Sequence, residues 1–275
     1  MKITTAVLPI AGLGTRFLPL SKVIPKEFFP LGPKPVVQHI IEEVLEAGVK
    51  KIIFVISPEK EKFLNNYFQE DKELLKLLRK RKKTSAIEAL KSVPKIKYEY
   101  VFQRKPHGDG DAILKAEKLV GNKPFLVLFG DDLAYNENGP LMAEQLVRTF
   151  NKIQKPLLCL YKKQKDELFA YGVPKIRDIR GKLAEISDII EKPQANPPSN
   201  FALVGKYILT PDIFYYLKKE EPHNGEIGLA YALQDMIKDG KKVFGLQVEG
   251  KWLECGTMDK WIQSFTYMAA KHFIK

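Results

Sequence analysis

Residues 6–19, Ala-Val-Leu-Pro-Ile-Ala-Gly-Leu-Gly-Thr-Arg-Phe-Leu-Pro, lead from an apolar run into a loop with two glycines and one arginine. The run predicts a buried strand, and the glycines let backbone N–H groups approach a ligand because no Cβ blocks the way. Arg16 adds a planar fork of donors suited to phosphate oxygens. Lys26, between Pro25 and Pro30, adds a second cation on a stiffened segment. These features predict a loop that binds the phosphates of a nucleoside triphosphate.

This loop does not match the simpler nucleotide signatures. Residues 12–17 and 108–113 each lack the third glycine of the dinucleotide fingerprint. Residues 245–252 begin like a P-loop but end in Trp252, where Ser or Thr must reach magnesium, and they follow a strand pattern. The sequence therefore indicates neither a dehydrogenase nor a P-loop enzyme.

Strand and helix patterns alternate through the first half of the chain, which predicts an α/β sheet covered on both faces. Asp131 and Asp132 directly follow the apolar run 125–129. We expect them at the carboxyl end of a central strand, where open α/β sheets bind ligands. The second half is less regular, but no linker or repeat divides it, so the chain predicts one domain, 1–275. Its C-terminal amphipathic helix, about 259–274, fits an oligomer interface and burial against its own core equally well.

The two aspartates also suggest a metal site. Mg²⁺ prefers carboxylate oxygens and usually takes one or two of them, leaving its other positions to phosphates and water. Asp131 is the expected ligand, and Glu254, before Cys255 and Gly256, is the candidate for a second carboxylate.

Composition bounds the remaining function classes. The chain has 275 residues, a formal charge of +12, two cysteines and four histidines. The cysteines lack metal or disulfide spacing, and no apolar run reaches the roughly 18 residues of a membrane span. A cytoplasmic location is expected, since the N-terminus also lacks a signal-peptide pattern. The densest basic run, residues 79–83, contains no aromatic residue for base stacking, which favours a solvated helix face over a nucleic-acid site.

The motifs together resemble those of bacterial UTP–glucose-1-phosphate uridylyltransferases, within the sugar nucleotidylyltransferase family. The resemblance runs in order along almost the whole chain, through residues 8–19, 24–27, 103, 108–110, 130–132, 171–173, 191–193, 198–207 and 254–256. It implies a Rossmann-like three-layer α/β fold with a mixed sheet, of the nucleotide-diphospho-sugar transferase type.

The resemblance also implies roles for individual residues. The catalytic set would be Arg16, Lys26, Asp131 and Lys192. The nucleotide would contact Ala11, Gly12, Gly14, Thr15, Gln103 and Gly108, with Gln103 reading the uracil edge. The sugar would contact Asp132, Gly172, Glu191, Val204 and Gly205. Magnesium would bind Asp131 and Glu254.

The implied reaction joins UTP and α-D-glucose 1-phosphate into UDP-glucose and pyrophosphate, in a homodimer or homotetramer with no nucleic-acid or membrane partner. The chain departs from the family pattern at Asp109, Asp111, Gly228 and Glu254. These departures leave open dTTP or CTP as the nucleotide and another hexose 1-phosphate as the acceptor. A non-catalytic nucleic-acid-binding protein on the same fold is the alternative from a different class.

Overall fold

The computed structural model describes residues 1–273, and within them the chain forms thirteen strands and ten α-helices. The strands are β1 Thr5–Pro9, β2 Pro30–Leu31, β3 Lys34–Pro35, β4 Lys51–Ile56, β5 Lys97–Phe102, β6 Phe125–Leu128, β7 Asp132–Tyr135, β8 Leu157–Lys162, β9 Gly172–Arg180, β10 Leu183–Glu191, β11 Phe201–Leu209, β12 Val243–Gln247 and β13 Lys251–Glu254. The helices are α1 Val36–Glu46, α2 Glu61–Phe68, α3 Lys72–Lys80, α4 Thr84–Lys91, α5 Asp109–Lys115, α6 Glu117–Val120, α7 Met142–Ile153, α8 Ile213–Lys219, α9 Leu229–Lys238 and α10 Met258–Phe273.

Nine of the strands form one mixed sheet in the order β5-β4-β1-β6-β11-β8-β12-β10-β9. The first four are parallel, and β11 then runs antiparallel to both β6 and β8. The short pair β7 and β13 lies beside it, with Asp132 opposite Glu254. The carboxyl ends of β1 and β6 are therefore neighbours, which places the glycine loop beside Asp131 and Asp132.

Apolar side chains cover both faces of the sheet and form two cores. One core packs α1, α2, α7 and α10 against one face, and the other packs α5, α8 and α9 against the opposite face. The uninterrupted apolar runs of β1, β4 and β6 are buried on both sides, as is typical of parallel strands. The predicted three-layer α/β fold with a mixed sheet is confirmed.

The basic run 79–83 is exposed, but only its first two residues lie in a helix. Helix α3 ends at Lys80 and α4 begins at Thr84, and Lys82 in the turn between them has φ 52°. Helix α8 begins at Ile213, with Asp212 at the N-cap position. Helix α5 begins at Asp109, directly after Gly108.

Helix α10 packs on its own chain. Trp261 lies edge-on to Phe29 and donates to the carbonyl of Pro30 at 3.0 Å, and Met268 is buried. Ile262 is half exposed on the other side, so an oligomer interface there stays a prediction. Ile274, included in the predicted helix, lies outside the described residues. Across residues 1–273, none of the helices combines the length and apolarity that crossing a membrane requires.

Candidate active site

The glycine loop presents a row of unused backbone donors. Strand β1 ends at Pro9, the amide of the next residue, Ile10, donates to the carbonyl of Val55 at 2.8 Å, and a short 3₁₀ helix begins at Thr15. Between them, no amide from residue 11 to residue 16 donates to an acceptor within residues 1–273. Gly14, at φ 66°, supplies the left-handed turn that starts the 3₁₀ helix. Backbone donors left free in this way favour an anionic ligand.

Lys60 holds the loop from behind. Its ammonium donates to the carbonyls of Ile10 at 2.6 Å and Gly12 at 2.7 Å, and it pairs with Glu27 at 3.0 Å. Lys60 and Glu27 are both buried, and Glu27 Oε1 accepts no hydrogen bond from residues 1–273. Because carbonyl and amide of one peptide point in opposite directions, this anchor turns the following amides away from Lys60. The sequence patterns did not single out Lys60, although it follows the carboxyl end of β4.

Lys26 and Asp131 form a direct pair, with Nζ and Oδ2 2.5 Å apart. Burial alone lowers the pKa of Lys26, but the charges of Asp131 and Glu27 outweigh it, so the pKa is raised. Burial likewise opposes ionisation of Asp131, yet Lys26 and Arg16 lower its pKa below the ordinary value. Both groups are therefore charged at neutral pH.

Arg16 is the exposed cation of the site. Its guanidinium makes no hydrogen bond or ion pair with any of the residues 1–273, and it acts on Asp131 only through its charge. A fork of donors in this state is available to an incoming anion.

Both carboxylate oxygens of Asp132 accept hydrogen bonds from other parts of the chain. Its Oδ1 accepts from the indole of Trp252 at 2.7 Å, and its Oδ2 accepts from the amide of Gly205 at 3.1 Å. Burial beside Asp131 raises the pKa of Asp132 to about 7, although Lys206 acts in the opposite direction. The surroundings therefore lower the pKa of Asp131 and raise the pKa of Asp132, although the two residues are adjacent.

Two cavities meet at these carboxylates. The first, about 380 Å³, is lined by seven of the predicted site residues: Ala11, Gly12, Thr15, Lys26, Gln103, Gly108 and Asp131. The second, about 590 Å³, is lined by eight of them: Arg16, Asp131, Asp132, Gly172, Glu191, Lys192, Gly205 and Glu254. Asp131, Asp109 and Phe129 line both cavities. We call the first the nucleotide cavity and the second the sugar cavity, after the ligands that the resemblance implies for their residues.

Two predicted site residues line neither cavity. Gly14 shapes the loop from behind, where a Cβ would lie 3.2 Å from Ser21. Val204 is fully buried in the core, because side chains alternate along β11 and Gly205 takes the cavity side. The side chain of Val204 therefore lies in the core, and its predicted contact with the sugar stays a prediction.

The carboxylate of Glu254 is engaged by three side chains of its own chain. Its carboxylate is engaged by Lys163 at 3.0 Å, by the phenol of Tyr171 at 2.6 Å and by Lys260. Burial and the Glu254 carboxylate raise the pKa of the Tyr171 phenol, so the phenol is a donor at neutral pH. Glu254 thus joins three segments on the wall of the sugar cavity, and its predicted metal role stays a prediction.

Replacement of Glu254 tests its predicted metal role without an activity assay. Glu254→Gln is expected to leave Mn²⁺ affinity, titrated in the presence of UTP, within about twofold, because the carboxylate is engaged by Lys163, Tyr171 and Lys260. Asp131→Asn is the control and is expected to weaken binding by about tenfold or more, a loss of the size of one charge-assisted contact. A drop in Mn²⁺ affinity for Glu254→Gln equal to that of Asp131→Asn would support Glu254 as a metal ligand.

The stretch of residues 105–110 is hydrogen-bonded to the segment just before α9. Gly110 donates to Ile227 at 2.9 Å, and Ile227 donates to His107 at 2.8 Å. Gly108, at φ 95°, lies against the backbone of Ile227, where a Cβ would collide. Asp109 accepts from the amide of Leu229 at 2.9 Å and so caps a helix whose N-cap residue is glycine. The departures at Asp109 and Gly228 are thus neighbours in space and compensate each other.

Lys192 follows β10 in a left-handed backbone conformation, with φ 45°. A lysine in this region carries strain that the surroundings must hold, and such residues concentrate at functional sites. Its amide donates to Tyr171 at 3.0 Å, while its side chain stays half exposed at the sugar cavity, 3.5 Å from Glu191.

The site offers few protein donors to a metal ion. No cluster of three or more His, Cys, Asp or Glu side chains among residues 1–273 could enclose a metal ion. Asp131 and Asp109 both line the junction of the cavities. One oxygen of Asp131 accepts from Lys26, and Asp109 is engaged by the amide of Leu229, which leaves Asp131 as the candidate ligand. One carboxylate fits Mg²⁺ that arrives with a nucleotide, because such ions keep phosphates and water as their other ligands.

Comparisons with known proteins identify the family of this chain. The nucleotidyl transferase family model matches residues 5–271. A Bacillus subtilis (strain 168) protein named UTP–glucose-1-phosphate uridylyltransferase is 35% identical, over 93% of this chain and 87% of that relative. A Streptococcus pyogenes serotype M1 protein named UTP–glucose-1-phosphate uridylyltransferase 2 is 33% identical, over 98% of this chain and 92% of its own length.

Solved structures show the same fold. An apo UDP-glucose pyrophosphorylase superposes with a TM-score of 0.91 at 35% identity, covering 98% of this chain and 99% of that one. A UTP-bound UGPase from Acinetobacter baumannii gives 0.90 at 29% identity, covering 98% and 95%. The resemblance to bacterial uridylyltransferases is confirmed, and the chain belongs to the nucleotidyl transferase family of enzymes.

Proposed function

We propose that this enzyme transfers the uridylyl group of UTP to α-D-glucose 1-phosphate, giving UDP-glucose and pyrophosphate. The observation that carries the proposal is the junction of two cavities at Asp131. One has free amides and a glutamine amide, and the other has carboxylates suited to sugar hydroxyls. The name of the Bacillus subtilis relative gives the same pair of substrates, and the solved structure is named for the product, UDP-glucose.

The residues around the junction suit an in-line displacement. An oxygen of the sugar phosphate attacks the α-phosphorus of UTP, a new P–O bond forms, and the bond to pyrophosphate breaks. Such reactions depend on positioning and charge neutralisation, so no protein nucleophile is required. Arg16 and Lys26 offset the charge of the departing pyrophosphate, and Lys192 offsets the repulsion between the two anionic reactants.

Positioning of the sugar falls to Asp132 and Glu191. Asp132 is locked by Trp252 and Gly205, so its orientation costs nothing when substrate binds. Glu191 packs over Gly172, where a Cβ would lie 3.0 Å from its carboxylate. Mg²⁺, with Asp131 as its protein ligand, would supply charge neutralisation at the nucleotide phosphates.

A substrate panel tests the proposal. Pyrophosphate release in the presence of Mg²⁺ is expected to be fastest for UTP with glucose 1-phosphate, among UTP, dTTP and CTP and several hexose 1-phosphates. A higher rate with another hexose 1-phosphate would reassign the acceptor and keep the reaction class. No release from any pair, together with retarded migration of labelled DNA at moderate salt, would instead support the nucleic-acid-binding alternative.

A further inference from the structure

Gln103 lines the nucleotide cavity, and only the oxygen of its side-chain amide is available to a ligand. Its backbone is fixed at the end of β5 by a 2.8 Å hydrogen bond to Ile56, and its side chain is almost fully buried. Nε2 donates to the carbonyl of Gly108 at 2.9 Å and to the carboxylate of Asp111 at 2.8 Å. An amide nitrogen has two hydrogens, so both are committed.

The orientation of this amide follows from chemistry. A carbonyl oxygen and an ionised carboxylate can only accept, so the nitrogen of Gln103 has to face Gly108 and Asp111. The carboxylate of Asp111 also forms an ion pair with Lys115, 3.2 Å away. If the amide were reversed, Oε1 would face two acceptors and lose both hydrogen bonds. Oε1 is thus held on the opposite side, without a partner among residues 1–273.

From this arrangement we infer that Asp111 selects the base by fixing Gln103 as a pure acceptor, so that the site takes pyrimidines with a ring N–H and rejects cytosine. Uracil and thymine carry a hydrogen on N3 and donate it to Oε1. Cytosine in the same position presents the lone pair of N3, and two acceptors then face each other. The inference rests on the proposed function, because it concerns the base of the same nucleotide.

Asp111 is a positioning residue, since it acts through Gln103. It lines neither cavity and is only 5% exposed. Asp111→Asn keeps the size of the side chain but adds an N–H₂ group that can donate to Oε1. If the Gln103 amide of this variant reverses to pair with cytosine, it loses only the hydrogen bond to Gly108. Discrimination against CTP is therefore weaker than in the wild type.

The test is the ratio of kcat/KM for UTP to that for CTP, with dTTP measured alongside. Asp111→Asn is expected to lower the UTP/CTP ratio by about tenfold or more, the size of one hydrogen bond to a charged group, while UTP/dTTP stays unchanged. In a Gln103→Ala background, Asp111→Asn should produce no further change in UTP/CTP. A merely structural role for Asp111 would alter stability and leave the ratio where it was.

Two variants control for loss of charge and loss of stability. Lys115→Met removes the ion pair but leaves the Asp111 carboxylate, and Glu117→Gln removes one carboxylate from the adjacent helix. Both are expected to keep the wild-type UTP/CTP ratio. If Asp111→Asn does not fold, equilibrium binding of UTP and CTP to wild type and to Gln103→Ala decides the matter. Equal affinities in wild type overturn the inference, and a preference for UTP that Gln103→Ala abolishes supports it.

Failure of the inference differs from failure of the proposed function. Equal use of UTP and CTP by the wild-type enzyme contradicts the role of Asp111 and leaves uridylyl transfer intact. A lack of product with UTP contradicts the proposed function itself.

Discussion

Replacing Asp131 by alanine is expected to reduce turnover of UTP and glucose 1-phosphate by a factor of about 10²–10³, the usual cost of one preorganised charge at the reacting centre. The carboxylate lies where the two cavities meet and is 26% exposed, so its loss affects the site more than the core. Lys26→Ala is expected to cost as much, because its ammonium faces the same junction. Pyrophosphate release under saturating substrates measures both effects, and circular dichroism shows whether the fold is kept.

Asp131→Asn separates charge from packing. The carboxylate raises the pKa of Lys26, whereas burial lowers it. Without the carboxylate, only Glu27 and Asp132 still oppose burial, so the pKa of Lys26 falls and the ammonium is lost at lower pH. The residual activity of Asp131→Asn should therefore decline at a lower pH on the alkaline side than that of wild type. Asp166→Asn is the control, because Asp166 is exposed and lies outside both cavities. Near-normal turnover in an Asp131 or a Lys26 variant would refute the catalytic role of that residue.

The sequence was most informative where one local pattern determines structure. The buried run before Gly12 predicts β1, and the aspartates after 125–129 lie at the carboxyl end of β6 as expected. Composition and spacing also excluded dinucleotide and P-loop signatures, since those depend on residues close together in the chain. The resemblance to a family supplied the grouping of distant residues into two cavities.

Contacts between distant segments could not be read from the chain. Lys60 meets Gly12 across 48 positions, and Lys163 meets Glu254 across 91. Glu254 sits where a metal ligand was predicted, but two lysines on other elements engage its carboxylate. The position of the Val204 side chain could not be read from the motif for a simpler reason. Neighbouring side chains of a strand face opposite sides, and the motif does not say which side holds the ligand.

Lys206→Met is expected to lower the free energy of unfolding by about 3–5 kcal/mol, the range for breaking a buried ion pair by removing one partner. Lys206 and Glu43 are 2.8 Å apart, with side chains 0% and 2% exposed. Glu43 keeps only the amide of Ala143, at 2.9 Å, when the lysine is gone. An uncompensated carboxylate then remains in the core. Chemical denaturation measures the loss, and Lys182→Met, in an exposed pair with Glu249, should cost under about 1 kcal/mol.

The double variant Glu43→Gln with Lys206→Met separates the effect of Lys206 on stability from its effect on substrate binding. The glutamine still accepts from Ala143 and leaves no buried charge, so most of the lost stability should return. The carbonyl of Asp132, which accepts from Lys206 at 2.7 Å, stays without that donor. Because Asp132 lines the sugar cavity, KM for glucose 1-phosphate is expected to remain raised after stability has recovered. If stability and KM return together, Lys206 acts only in the fold, and support of Asp132 must come from Trp252 and Gly205.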